Sequence, residues 1–369
     1  MKRRLILFIS LALCNVAFAN SIPPVRTVFV ILLENHDWNE FKGNPDAPYM
    51  NNTLLPMASY CEQYYNPQGV HPSLPNYLWL EAGTNFGIFD DNNPADDHQS
   101  TTNHLVSQLD RAGISWKAYQ EDIDGAYVPL NNFNGYAVRH NPFVYFDDVT
   151  GTNNANWPYG ISHIRPYAEL AADLVSNSAA RYNFITPTVC NDGHDSCGPL
   201  YNPVQQSDTW LANEIPKILA SSAYSNNGAI FILWDESEHG DGPIGMIVLS
   251  PLARGGGYFS NLHYTHSSFL RTVQEIFGVG PLLNDAANAI DLGDLFTPFG
   301  ITSAALLTNG FQLTFAGAVP GTTNIVEASP DLFAWTPIST NVSITNQWTT
   351  VDSTATNFTQ RFYRVREVR

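Results

Sequence analysis

Three features of the chain predict an α/β fold, with a mostly parallel central sheet covered by helices on both faces and a small all-β segment after it. First, largely apolar runs rich in β-branched and aromatic residues recur at 25–33, 182–185, 229–234 and 245–249, as strands buried on both faces do. Second, stretches of helical character lie between them at 102–112, 167–176, 207–219 and 267–277; strands alternating with helices make a covered sheet. Third, the character changes after Pro298. Residues 301–369 carry few charges and many Thr, Asn and Ser, with alternating segments at 311–315, 323–328 and 361–365 separated by turn residues. The expected organisation is a main α/β domain over 20–300 and a β-sandwich-like domain over 301–369.

Residues 1–19 read as a signal peptide. Lys2, Arg3 and Arg4 precede an apolar run over 5–16, and Ala17-Phe18-Ala19 has the small-x-small pattern of a cleavage site, so the mature chain is expected to begin near Asn20. Arg3-Arg4 leaves the twin-arginine route open beside the general one. No later run approaches the roughly 18 apolar residues that span a bilayer, so a secreted or periplasmic product without a transmembrane segment is expected.

The chain carries a formal charge of −17, and losing the three leader cations takes it to −20. Such a field repels nucleic acid and anionic lipid, so an anionic substrate must be met by a local device, a metal ion or a helix terminus. With 44% hydrophobic residues, the chain has ample material for a core. Of the four cysteines, Cys14 leaves with the leader. In an exported protein Cys190 and Cys197, in CNDGHDSC, read as a disulfide restraining the loop that carries His194; a Cys2His metal site is the alternative. Cys61 is then a buried free thiol.

The chemistry-bearing residues collect where strands end. The first run finishes in LLENHDW, so Glu34 and Asn35 leave the sheet together, and the run at 229–234 passes directly into Asp235 and Glu236. If the two exits are neighbours, several carboxylates and an amide share a small volume, which a hard divalent cation would make tolerable; two unrelated polar loops are the alternative. In VHPSLPNYLWLEAG, Pro72 biases its surroundings toward extended backbone and Pro75 suits a first helical turn, placing Ser73 at a helix start. Ser73 there is either a plain N-cap or a nucleophile whose neighbouring amides receive an anion. His140, in YAVRHNPFVYF, and His194 suit proton transfer or anion contact. His266 reads as a capping or packing residue. Asp90, Asp91, Asp96 and Asp97 form an acidic loop read as solvated, with a second calcium site as the other possibility.

Taken in order, ILLENHDWNEF, VHPSLPNYLWLEAGTNFG, VRHNPFVYF, TPTVCNDGHDSC, FILWDESE, IVLSPLARGG and YTHSSFLRTVQEIFG resemble the bacterial and fungal phosphoesterase family of acid phosphatases and phosphatidylcholine-type phospholipases C. That family is similar in fold to the alkaline phosphatase superfamily. The resemblance implies Ser73 as nucleophile of a phosphoserine intermediate, Glu34, Asn35, Asp235 and Glu236 as ligands of one divalent metal ion of unknown identity, and His140 and His194 as residues that contact the phosphate or assist its leaving group. Asn76, one turn beyond Ser73, is placed to donate to a phosphate oxygen. A small phosphate ester is the expected substrate. The polar segment 145–159 favours a phosphomonoesterase over a phospholipase C or other phosphodiesterase; a non-catalytic phosphate- or glycan-binding protein is the reading from another class. Residues 301–369 resemble β modules of secreted bacterial proteins, which leaves a surface or glycan contact open.

Overall fold

The apolar run TVFVILL forms β1 (Thr27–Leu33), and Val28, Phe29, Val30, Ile31, Leu32 and Leu33 are all buried. Since successive side chains of a strand point to opposite sides, both faces of the sheet are covered here. The structure is a computed structural model, and it describes residues 22–296, 300–316, 318, 323–344 and 347–368. The expected leader at 1–19 lies outside the described residues.

The strands that follow are β2 (Ser59–Cys61), β3 (Tyr64–Tyr65), β4 (Trp116–Gln120), β5 (Ile164–Pro166), β6 (Tyr182–Thr186), β7 (Gly228–Trp234), β8 (Met246–Leu249), β9 (Tyr258–Ser260) and β10 (Tyr264–Thr265). Eight of them make one sheet in the order β5-β4-β6-β1-β7-β8-β2-β9, while β3 and β10 pair as a separate parallel ribbon. Within the large sheet β8 alone runs against its neighbours, antiparallel to both β7 and β2. The fold is therefore α/β with a mostly parallel sheet, and its core is one large cluster built around β1 and β7.

Five helices matter for the site and its support: α1 (Ser73–Ala82), α2 (Leu105–Arg111), α3 (Ala168–Ser176), α4 (Pro203–Leu219) and α5 (His266–Phe277). Helix α1 starts directly after Pro72 and stops at Gly83, whose φ of +70° suits glycine. A Cβ at Gly83 would also meet the Leu283 carbonyl at 2.6 Å. Helix α4 begins four residues before its expected start because Pro203 occupies its first turn and Asn202 caps it, accepting from Gln205 N at 3.1 Å. Helix α5 opens with a capping box formed by Thr265 and Ser268.

Beyond residue 300 the chain forms β11 (Gly300–Leu307), β12 (Gly310–Ala316), β13 (Thr323–Ser329), β14 (Thr336–Val342), β15 (Gln347–Asp352) and β16 (Phe362–Val368). They make two three-stranded antiparallel sheets, β11-β12-β15 and β14-β13-β16. Leu313, Phe315 and Val326 form a small hydrophobic cluster of their own, with Phe311, Ile338, Trp348, Tyr363 and Val365 against it.

Candidate active site

The register of two central strands assembles the site. Leu33 of β1 is paired with Trp234 of β7, so the next residues, Glu34 and Asp235, emerge side by side. The exit is locked by backbone hydrogen bonds: Asp235 N donates to the Leu33 carbonyl at 3.0 Å, and Glu34 N to the Asp192 carbonyl at 2.9 Å. Asn35 N donates to Asp235 Oδ1 at 2.9 Å, with Asn35 in the left-handed region at φ +30°. In a parallel sheet the space beyond the carboxyl ends of such strands is where ligands bind.

Ser73 sits over this exit as the first residue of α1 and is 2% exposed. Its Oγ donates to Glu34 Oε2 at 3.0 Å and lies 3.5 Å from Asn35 Oδ1. One helical turn on, Tyr77 Oη donates to Glu34 Oε1 at 2.5 Å. Burial, followed by the charges of Asp235 and Asp192, pushes the Glu34 carboxyl well above the usual carboxylate range. Burial likewise raises Asp192 well above that range and Asp235 to about 6.

His140 lies beneath Glu34, 1% exposed. Its Nε2 is 3.3 Å from Glu34 Oε2, its Nδ1 is 3.3 Å from Asp192 Oδ2, and its ring stacks on Tyr77 with centroids 5.2 Å apart. Burial first, then the neighbouring Arg139 and His194, hold it well below the ordinary histidine value, which favours the neutral imidazole. A ligand atom from each of Glu34, His140 and Asp192 lies within 4.8 Å of the others, a cluster that can hold a cation. Asp192 Oδ2, Asp235 Oδ2 and both His140 ring nitrogens are buried without a hydrogen-bond partner. Unpaired buried acceptors beside crowded carboxylates are the donor set a divalent metal needs.

Glu236 faces the other way. Its Oε1 accepts from Asn35 Nδ2 at 3.2 Å, and its Oε2 accepts from Asn76 Nδ2 at 3.2 Å and pairs closely with His71 Nδ1. Burial, with the charge of Asp235 second, raises it to about 9. The Asn76 amide also donates to the Val70 and Pro72 carbonyls, at 2.9 and 3.2 Å, so it ties the turn before Ser73 to Glu236. His266 packs and hydrogen-bonds, as its sequence position suggests: its Nε2 donates to the Asp235 carbonyl at 2.6 Å and its Nδ1 accepts from Tyr64 Oη at 3.0 Å.

His194 stands at the rim, its ring centroid 5.9 Å from that of His140 and its side chain 32% exposed. Its Nδ1 donates to Asp195 Oδ1 at 2.8 Å, and its Nε2 is 3.3 Å from Arg139 Nη2. The loop carrying it is closed by the Cys190–Cys197 disulfide, which excludes the Cys2His metal alternative because both thiolates are consumed. Gln206 braces the same loop, donating to the Cys190 carbonyl at 2.6 Å and accepting from Cys197 N at 2.8 Å. Cys61 is a buried free thiol.

The structure thus brings Glu34, Asn35, Ser73, Asn76, His140, Asp235 and Glu236 into one volume, with His194 at its edge. It adds four residues that the sequence did not single out: Asp192, Arg139, Tyr77 and His71. Asp192 was concealed in NDGHD, a composition typical of turns; its signal was its position just beyond a buried strand. The acidic loop read as solvated also takes part, since Asp91 Oδ1 accepts from Leu74 N at 2.9 Å.

The Phosphoesterase family profile matches residues 45–280, which include Ser73, His140, Asp192, His194 and Asp235. A phosphatidylinositol-3-phosphatase of Mycobacterium tuberculosis is 26% identical over 279 residues, covering 75% of this chain and 85% of that protein. A phosphate-repressible acid phosphatase of Penicillium chrysogenum is 28% identical over 223 residues, covering 58% of this chain and 50% of that protein. The chain spans about half the length of the fungal acid phosphatases it matches, 48% to 58%. Among solved structures, a protein in the alkaline phosphatase superfamily from Vibrio parahaemolyticus is similar with a TM-score of 0.49 and 11% identity, over 86% of this chain and 83% of that one. With its family profile covering most of the α/β region and the strand-end residues in place around Ser73, the chain belongs to the Phosphoesterase family.

Proposed function

We propose that the protein is a metal-dependent phosphoric ester hydrolase, an acid phosphatase-like phosphomonoesterase that works through a phosphoserine on Ser73. The observation that carries this is the Ser73 hydroxyl, held at a helix start and already donating to Glu34 Oε2 at 3.0 Å. The proton that leaves Oγ on attack has an acceptor in place in the Glu34 carboxylate. The start of α1 also offers backbone N–H donors and the positive end of the helix dipole, which suit a phosphoryl oxygen.

Glu34 and Asp235 would hold the divalent ion, with Asn35 beside them, Glu236 orienting Asn35, and His140 and Asp192 on the far side of Glu34. When bound, such an ion neutralises the crowded carboxylates and lowers the charge that an anionic ester meets. Asn76 fixes the turn that presents Ser73. His194, exposed at the rim and hydrogen-bonded to Asp195, is placed to give a proton to the departing oxygen, and neutral His140 to orient the base of the site.

The match to the Mycobacterium tuberculosis phosphatidylinositol-3-phosphatase, which spans most of both chains, supports a monoester. A phospholipase C is the second reading, since the same nucleophile and metal serve diesters. No helix among the described residues is long and apolar enough to cross a membrane. We read the protein as exported, which the disulfide supports, with 1–19 as its leader, 20–300 as its catalytic domain and 301–369 as a separate β domain. The testing experiment is a panel of phosphomonoesters and phosphodiesters assayed with and without chelator. Chelator-sensitive turnover of monoesters is expected; turnover of diesters alone would move the assignment to the phospholipase branch.

A further inference from the structure

The loop at 88–93 lays a carboxylate across the start of α1. Asp91 Oδ1 accepts from Leu74 N, the amide next to Ser73, at 2.9 Å, while Asp91 Oδ2 lies 3.5 Å from Arg139 Nε. Arg139 is the positively charged side chain whose field reaches both Glu34 and Asp192, and its Nη2 lies 3.3 Å from His194 Nε2. A backbone amide beside the nucleophile and a guanidinium at the same place are the two donors a tetrahedral oxyanion calls for. The seat therefore has a guanidinium, whose Nε is buried without a hydrogen-bond partner, as well as a helix terminus.

We propose that Asp91 is an internal competitor for the phosphate seat: its carboxylate sits on the Leu74 amide and Arg139, and a phosphomonoester must displace it to bring phosphorus to Ser73. This rests on the reading of Ser73 as nucleophile and deepens it by naming the group that a phosphate oxygen must displace. A phosphate oxygen competes with the carboxylate for the same two donors, and the cost of moving Asp91 falls alike on every ester that enters the seat. The Asp91 side chain is 33% exposed, so it can swing into water without leaving a buried charge behind.

The test separates this proposal from the reading beneath it by measuring binding without turnover. In a Ser73→Ala background, inorganic phosphate is titrated calorimetrically into the metal-loaded protein, with and without Asp91→Asn. The expected result is a dissociation constant about tenfold lower in the Asp91→Asn protein, with the gain lost when Arg139→Gln is added. Unchanged or weaker phosphate binding in Asp91→Asn would mean that Asp91 only caps α1, and the proposal falls. Asp91→Ala, checked for folding by circular dichroism, must give the same sign. In the Ser73 wild-type background kcat/KM for a phosphomonoester should rise severalfold in Asp91→Asn; a fall also overturns the proposal. Full ester turnover by Ser73→Ala would instead remove the nucleophile reading while leaving the binding result to stand or fall by itself.

Discussion

Ser73 Oγ and Glu34 Oε2 stand 3.0 Å apart although 39 positions separate them in sequence, and this hydrogen bond joins the start of α1 to the end of β1. Removing it should abolish chemistry and spare the fold. Ser73→Ala is expected to lose about a thousandfold or more in kcat, while stability drops by about 1 kcal/mol, the net worth of one hydrogen bond. Kinetics and a denaturant titration on the same preparation check both. Residual activity near wild type would make Ser73 a structural residue only.

Glu34→Gln and Asp235→Asn should each lower bound metal as well as turnover, since their parent carboxylates emerge from register-paired strands into one volume. Elemental analysis after dialysis measures it. Full occupancy in both variants would separate the two residues from any common ion.

The two histidines should part company when the leaving group is varied. His194→Asn is expected to lose at least tenfold more rate on an alkyl phosphate than on an aryl phosphate such as p-nitrophenyl phosphate, because an oxygen that leaves readily as an anion needs little protonation. His140→Asn, which alters the buried base of the site, should slow both alike. Equal losses in both variants would take the acid role away from His194.

His104 supplies a pH dependence away from the chemistry. It is fully buried, with Nδ1 2.9 Å from Glu81 Oε1 of α1 and Nε2 3.0 Å from Asp148 Oδ1, and it stacks on Phe146. Burial alone would lower its pKa, but the hydrogen bonds and charges of Asp148 and Glu81 raise it to about 9. Raised in the folded state, it contributes stability that is fully present below its unfolded value near 6.5 and lost as pH climbs through about 9. The melting temperature should therefore fall between pH 7 and 10, and His104→Gln should remove much of that slope while costing about 3 kcal/mol or more at pH 6, since two carboxylates lose their partner. An unchanged slope in the variant would mean other groups set it.

The parts of this architecture that were legible in sequence are those with strong local signals. TVFVILL and GAIFILW are apolar at every position except a terminal Thr or Gly, and both became central strands within two residues of the expected bounds. Strands β2, β3, β5, β9 and β10 span only two or three residues, too few to show a period, and were not anticipated. Trp116–Gln120 became β4 although Lys117 and Gln120 break its apolar run, because neighbours on both sides complete its hydrogen bonding. Within the site, residues projecting from strand ends could be foreseen. Arg139 and Asp91 could not, because what gives them meaning is a loop-to-loop approach that no periodicity encodes.

The central place of β1 has a consequence for how the protein must be made. Its partners are β6 (Tyr182–Thr186) and β7 (Gly228–Trp234), so this apolar segment, among the first to be synthesised, has no edge to join until about 150 further residues, as far as β6, exist. At ordinary ribosomal rates of roughly 5–20 residues per second, that is an exposure of about eight to thirty seconds. An unpaired, uncharged, β-prone heptapeptide is the kind of segment that recruits identical copies of itself into aggregates. The nascent chain has to keep β1 extended and solitary until β6 exists, and overexpression should deposit it in inclusion bodies through this strand.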